Sequence, residues 1–183
     1  MNIRRTKQIC IFCGHRSGKK NIWVAFAKQL GDFIGKNGYT LIYGAGSRGM
    51  MGTVASAAKH SGATVHGIIT EGLAETEPIL PNIDNLIIVE TLNERKEKLF
   101  ENADVAVVLP GGIGTIDEFF DLWAKIQLGL EEKTLIIANI NDYYSKLFSF
   151  IGDVVQEDFL SESSLSKIRV CNSLDELISE LES

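Results

Sequence analysis

Asp104-Val105-Ala106-Val107-Val108-Leu109-Pro110-Gly111-Gly112-Ile113-Gly114-Thr115-Ile116-Asp117-Glu118 is the stretch that decides the fold. Its first six residues form a nearly unbroken apolar run rich in valine, as a strand buried on both faces requires. Gly111, Gly112 and Gly114 break the run, and apolar residues at helical spacing follow over 116–128. The unit is strand, glycine-rich loop, helix, and it recurs along the chain. Apolar runs predict strands at 8–13, 40–43, 64–69, 85–89, 104–109, 134–138 and 168–171. A 3.6-residue period predicts helices at 21–36, 50–60, 92–102, 116–128, 143–156 and 174–181. In the first of these, Trp23, Phe26, Ala27, Leu30, Phe33 and Ile34 form one stripe, and Asn37-Gly38 stops the helix. Such alternation predicts an α/β, Rossmann-like, doubly wound parallel sheet of about seven strands flanked by helices. At 183 residues, with no repeat or linker, the chain is expected to be one domain over 1–183.

Composition narrows the function classes. Hydrophobic residues make up 45% and charged residues 23%, ordinary globular usage. Lys and Arg number 18 against 24 Asp and Glu, a net charge of −6, which argues against nucleic acid or an anionic membrane as partner. The acidity is local: residues 153–183 carry 8 acidic and 2 basic residues, and the rest of the chain carries 16 of each. Residues 1–7 are polar, and the apolar run after them is too short for a signal or a membrane span. Three cysteines imply no disulfide framework. Cys10 and Cys13 make a C-x-x-C, but in a strand positions i and i+3 point to opposite faces, whereas a redox pair opens a helix. A reduced, cytoplasmic protein is expected.

In open parallel sheets, ligands bind beyond the carboxyl ends of the strands. Three loops there are glycine-rich: Cys13-Gly14-His15-Arg16-Ser17-Gly18, the stretch from Tyr43 to Gly52 (YGAGSRGMMG), and Pro110-Gly111-Gly112-Ile113-Gly114-Thr115. They hold nine of the 17 glycines. Glycine lets backbone approach a ligand, and a helix N-terminus offers free N–H groups and a positive dipole end, so the natural ligand is a phosphate. The first loop is not a Walker A loop, because it is one residue short and Lys20 stands where Ser or Thr belongs. Gly44-Ala45-Gly46-Ser47-Arg48-Gly49 matches G-x-G-x-x-G, and Glu71 follows where a ribose-binding acid would sit, which leaves a dinucleotide reading open. Against it, the match lies in the second unit, and the third loop is richer than a dinucleotide requires.

Glu118 has two readings. Thr115-x-x-Glu118 has the spacing of a capping box, as do Thr91-x-x-Glu94 and Ser173-x-x-Glu176, which read as caps. A carboxylate beside a phosphate-and-ribose site is also what glycosidic cleavage needs, to bind ribose hydroxyls, stabilise an oxocarbenium-like transition state and orient a water. Arg95 and Lys96 fall near the start of a helix, where cations oppose the macrodipole by about 0.3–1 kcal/mol each. They read either as a solvated face beside Glu94 and Glu97 or as an anion clamp facing the third loop, Arg through bidentate contact. His15 lies in the first loop, within reach of a ligand; His60 reads as a helix C-terminal cation and His66 as core. No His, Cys and carboxylate cluster has metal spacing, so neither metal nor cofactor is expected.

The segment 110–118 resembles the P-G-G-x-G-T-x-x-E signature of the LONELY GUY family, which comprises cytokinin riboside 5′-monophosphate phosphoribohydrolases and related bacterial nucleotide nucleosidases. Cys13-Gly14 is similar to the family's C-G-S-S, and the second loop to its Y-G-G-G-x-x-G-L-M-G. Likewise Leu92-Asn93-Glu94-Arg95-Lys96 is similar to M-H-x-R-K, Gln127-Leu128-Gly129 to Q-L-G, and 139–150 to N-x-x-G-Y-Y-x-x-L. The resemblance implies hydrolysis of the N-glycosidic bond of a nucleoside 5′-monophosphate to free base and ribose 5-phosphate. It implies Arg95 and Glu118 as the catalytic pair and Gly111, Gly112, Gly114 and Thr115 as the phosphate cradle. Lys96, Asp117 and Glu71, with Gly44 and Gly46 of the second loop, would line the substrate site. It also implies a homodimer or larger homo-oligomer with the site near the interface. The label "lysine decarboxylase" attached to some members finds no supporting chemistry in this chain. His15-Arg16 depart from Ser-Ser, Ala45 from the middle glycine, and Leu92-Asn93 from Met-His, departures that bear on base preference. Two other classes remain: a non-catalytic nucleotide or cofactor carrier, and an NAD(P)-dependent oxidoreductase through Gly44–Gly49 that lacks a visible hydride-acceptor site. Intact Arg95 and Glu118 favour the hydrolase.

Overall fold

The computed structural model describes residues 6–183. Its seven strands are β1 (Gln8–Phe12), β2 (Thr40–Tyr43), β3 (Thr64–Thr70), β4 (Asn85–Val89), β5 (Val105–Val108), β6 (Thr134–Ala138) and β7 (Ile168–Cys171). They form one all-parallel sheet in the order β4-β3-β2-β1-β5-β6-β7. The helices are α1 (Asn21–Lys36), α2 (Gly49–His60), α3 (Glu71–Ala74), α4 (Leu92–Glu101), α5 (Ile113–Gln127), α6 (Ser145–Gln156), α7 (Glu162–Leu165) and α8 (Leu174–Glu182). The sheet divides the core in two. Ile9, Ile11 and Cys13 face α1, α2 and α8, while Cys10 and Phe12 face α4, α5 and α6. The two cysteines of the C-x-x-C thus lie on opposite faces, both free and buried. From central β1 the chain winds outward to β4, returns to β5 beside β1, and winds the other way. The loops after β1 and β5 diverge there and open a crevice at the carboxyl edge.

The seven strands lie where the apolar runs put them, and Thr91 and Ser173 cap α4 and α8 by accepting from the N–H groups of Glu94 and Glu176. Other boundaries moved. Helix α5 begins at Ile113, not at 116, because extended Gly112 is its N-cap and offers no side-chain bond. Thr115 is therefore inside the first turn, and Thr115-x-x-Glu118 is not a capping box. The connection after β3 is not a plain loop: Thr70 caps the single turn α3, and the following segment hydrogen-bonds the second loop (Ser47 N–H to Pro78 C=O, 2.9 Å; Leu80 N–H to Ala45 C=O, 3.0 Å). Helix α6 starts at Ser145 rather than 143, because Asn141 and Asp142 take positive φ in a preceding 3-10 turn. His60 sits in the last turn of α2, whereas His66 is half-buried rather than core. Among the described residues no helix is long and apolar enough to cross a membrane.

Candidate active site

A cavity of about 400 Å³ lies at the crevice, lined by all three glycine-rich loops: Gly14 and His15, Gly44 and Gly46, and 112–115. Arg95 and Glu118 form its polar floor; Met51, Ile69, Leu73 and Leu92 give it apolar walls. Arg95 comes from α4, whose start is fixed by a complete capping box. Its guanidinium runs under the sheet edge and is held twice. Nε donates to the carbonyl of Ile68 on β3 at 3.0 Å, and Nη1 donates to Oε1 of Glu118 on α5 at 3.2 Å. Arg95 is 9% exposed and Glu118 5%, so the pair is secluded from water. Gly44 makes room for it, since a Cβ there would sit 2.1 Å from Arg95 Nη2. Burial pushes the Glu118 carboxyl from 4.5 up to about 7, the adjacent guanidinium pulling back only part of the way. A carboxylate poised near neutrality beside a fixed cation suits proton handling or stabilisation of developing positive charge.

The anion-binding end is built by α5. The amides of Ile113, Gly114 and Thr115 precede its first i→i−4 bond, Ile116 N–H to Gly112 C=O at 3.1 Å, so they are available to a ligand. The loop before them is tightly set. A Cβ on Gly111 would lie 2.1 Å from Thr115 Oγ1, Gly14 N–H donates to Pro110 C=O at 3.1 Å, and the Tyr143 hydroxyl donates to Gly111 C=O at 2.7 Å. Carboxylate, guanidinium and amide cradle thus share one cavity.

Not every anticipated residue meets it. Glu71 is exposed at the first position of α3 and is not among the lining residues, because the chain turns into that helix directly after β3. Glu77, six residues on, lines the cavity instead. Lys96 and Asp117 pair with each other at 3.1 Å, tying α4 to α5 just outside the lining. Gly111 supports the cradle from behind rather than lining this cavity. Leu73, Glu77 and Ile113 carry no motif of their own, and only the folded connection and the earlier α5 start bring them here. Among the described residues no group of three or more His, Cys, Asp or Glu is gathered to hold a metal.

A family model described as "Possible lysine decarboxylase" matches residues 51–181. The chain is 36% identical over 178 residues to the cytokinin riboside 5′-monophosphate phosphoribohydrolase LOG7 of Arabidopsis thaliana, covering 97% of this chain and 82% of that one. The chain belongs to the LONELY GUY family. The cytokinin riboside 5′-monophosphate phosphoribohydrolase of Rhodococcoides fascians, another LONELY GUY relative, is 34% identical over 97% of this chain and 90% of its own. Among solved structures, the molybdenum cofactor carrier protein of Chlamydomonas reinhardtii superposes with a TM-score of 0.72 over 97% of both chains at 20% identity, and so shares the fold. The resemblance read from the third loop and from Arg95-Lys96 therefore stands, and Arg95 and Glu118 of the LONELY GUY signature meet in one cavity.

Proposed function

We propose that the protein hydrolyses the N-glycosidic bond of a nucleoside 5′-monophosphate, AMP or a cytokinin riboside 5′-monophosphate, to free base and ribose 5-phosphate. The observation that carries this reading is the secluded Arg95–Glu118 pair at 3.2 Å in the same cavity as the free amides of α5. The 5′-phosphate docks on those amides beside Gly112, Gly114 and Thr115, favoured by the helix dipole. Ionised Glu118 then faces the ribose, accepts from its hydroxyls and from the attacking water, and stabilises the oxocarbenium-like transition state. Arg95 holds that carboxylate in place. As the bond from C1′ to the base nitrogen breaks, its electron pair leaves with the base, which takes a proton, and the water's hydroxyl joins C1′. Lys96 and Asp117 act as positioning residues that hold α4 against α5, and Gly44 and Gly46 admit the substrate along the second loop. The apolar walls and Glu77 meet the base.

The relatives' names support the reaction, since both act on a riboside 5′-monophosphate by name. A homo-oligomer completes the reading: Leu92 and Ile113 line the cavity yet are 58% and 84% exposed, an apolar rim suited to a second copy. The three cysteines, all unpaired, suit a reducing cytoplasm. The test is chromatography of purified protein incubated with AMP and with an N6-prenylated AMP. Free base is expected; none from any 5′-monophosphate, with binding intact, refutes the hydrolase and favours a carrier. Light scattering reads the oligomer, and a monomer at micromolar concentration refutes that part.

A further inference from the structure

Next to the catalytic cavity lies a second one of about 320 Å³. The two share Gly14, His15 and Gly112, so they meet where the first and third loops touch, beside the Gly14 N–H to Pro110 C=O bond. The second cavity has an aromatic back wall, Trp23 edge-on to Tyr143 with ring centroids 5.5 Å apart. Tyr143 is also bonded to the cradle through Gly111. His15 and Arg16 line it, Lys20 stands over the Trp23 ring at 5.8 Å, and no carboxylate is among its lining residues.

These features have a direction. A nucleotide whose C1′ lies at Glu118 and whose phosphate lies on the α5 amides has its outer phosphate oxygens where the two cavities meet. Whatever extends beyond that phosphate enters the second cavity, where it meets the Arg16 guanidinium beside an apolar aromatic surface whose low local dielectric strengthens the attraction. His15-Arg16 stand where the family pattern has two small hydroxyl residues, so this extension is particular to the chain.

We propose that the second cavity is a subsite for a further phosphoryl group and that nucleoside 5′-diphosphates are substrates, with Arg16 as the specificity-determining residue. This rests on the hydrolase reading. The bond broken is the same one: C1′ gains the water's hydroxyl, the base leaves with a proton, and the sugar product keeps both phosphates.

The experiment compares AMP and ADP with the full-length protein and with Arg16→Ala, following free adenine by chromatography and the sugar product by mass spectrometry. Arg16 is exposed, so the variant is expected to fold, which its melting curve checks. Expected are adenine and ribose 5-diphosphate from ADP at a kcat/KM within tenfold of AMP, and an ADP-to-AMP ratio of kcat/KM that falls at least tenfold in Arg16→Ala, mainly through KM. Turnover of AMP with ADP below one tenth of it overturns the subsite and leaves the hydrolase standing. ADP turnover with an unchanged ratio in Arg16→Ala overturns the role of Arg16 and this cavity. Turnover of neither nucleotide overturns both proposals.

Discussion

Replacing Glu118 by Gln removes the charge, keeps the shape, and separates chemistry from stability. The carboxyl is raised from 4.5 to about 7, chiefly by burial. Between those values the folded chain holds a proton that the unfolded chain has lost, so stability falls as pH rises through this window and is level above it. Ionising Glu118 in the folded state costs about 3 kcal/mol. The amide of Glu118→Gln never ionises and mimics the protonated acid against Arg95. The variant should therefore match the parent at pH 4.5 and be the more stable protein at pH 8, by up to about 3 kcal/mol, or roughly 6–12 °C in melting temperature for a chain of this length. Turnover should move the opposite way, falling about 10²–10⁴-fold, because a neutral amide neither activates water nor stabilises positive charge at C1′. The assay is scanning calorimetry at both pH values beside base release from AMP. A variant that turns over normally and melts lower at pH 8 refutes the reasoning, because Glu118 would then be a structural group.

The same carboxyl sets a pH profile. At saturating AMP, kcat should rise with pH through about 7 and level off above, and a flat profile from pH 5.5 to 8.5 excludes ionised Glu118 as the working form. Gly44→Ala puts a methyl 2.1 Å from Arg95 Nη2, where the guanidinium is tied to Ile68 and Glu118 and cannot simply swing away. It should cost about 1–3 kcal/mol in denaturant unfolding and at least about tenfold in kcat; an unaltered kcat would show the pair's geometry to be dispensable. Lys96→Met breaks an ion pair whose Asp117 side is more than half exposed, so stability should change by about 0.2–1 kcal/mol, and base release should suffer far less than in an Arg95 or Glu118 variant. A loss as large as theirs would move Lys96 into the chemistry.

The sheet was legible because its strands are local in sequence: runs such as 105–108 and 134–138 are buried on both faces, which only central parallel strands are. The cavity's charged floor was legible because Arg95 and Glu118 sit in motifs whose spacing survives folding. What stayed hidden depends on backbone that no side chain announces. The capping spacing of Thr115 and Glu118 placed the start of α5 at 116, but extended Gly112 lets it begin at Ile113, freeing three amides for a ligand. Glu71 had the right distance from the second loop and the wrong surroundings, since one turn of α3 carries it into solvent and brings Glu77 round. Trp23 and Tyr143 are 120 positions apart in the numbering, and only the packing of α1 near the turn after β6 makes them neighbours.

The folded connection after β3 carries a consequence for how this enzyme class diversifies. It leans on the second loop through backbone bonds, Ser47 to Pro78 and Leu80 to Ala45, which impose no side-chain identity on it. Its residues Leu73 and Glu77 form one wall, whereas the charged pair hangs from α4 and α5 on rigid elements. In the proposed function, recognition of the base and cleavage of its bond are thereby built on separate parts. Insertions and substitutions between β3 and β4 can retune what enters while leaving the reactive geometry as it is, and a change of preferred base should be sought by grafting that segment rather than by mutating the floor.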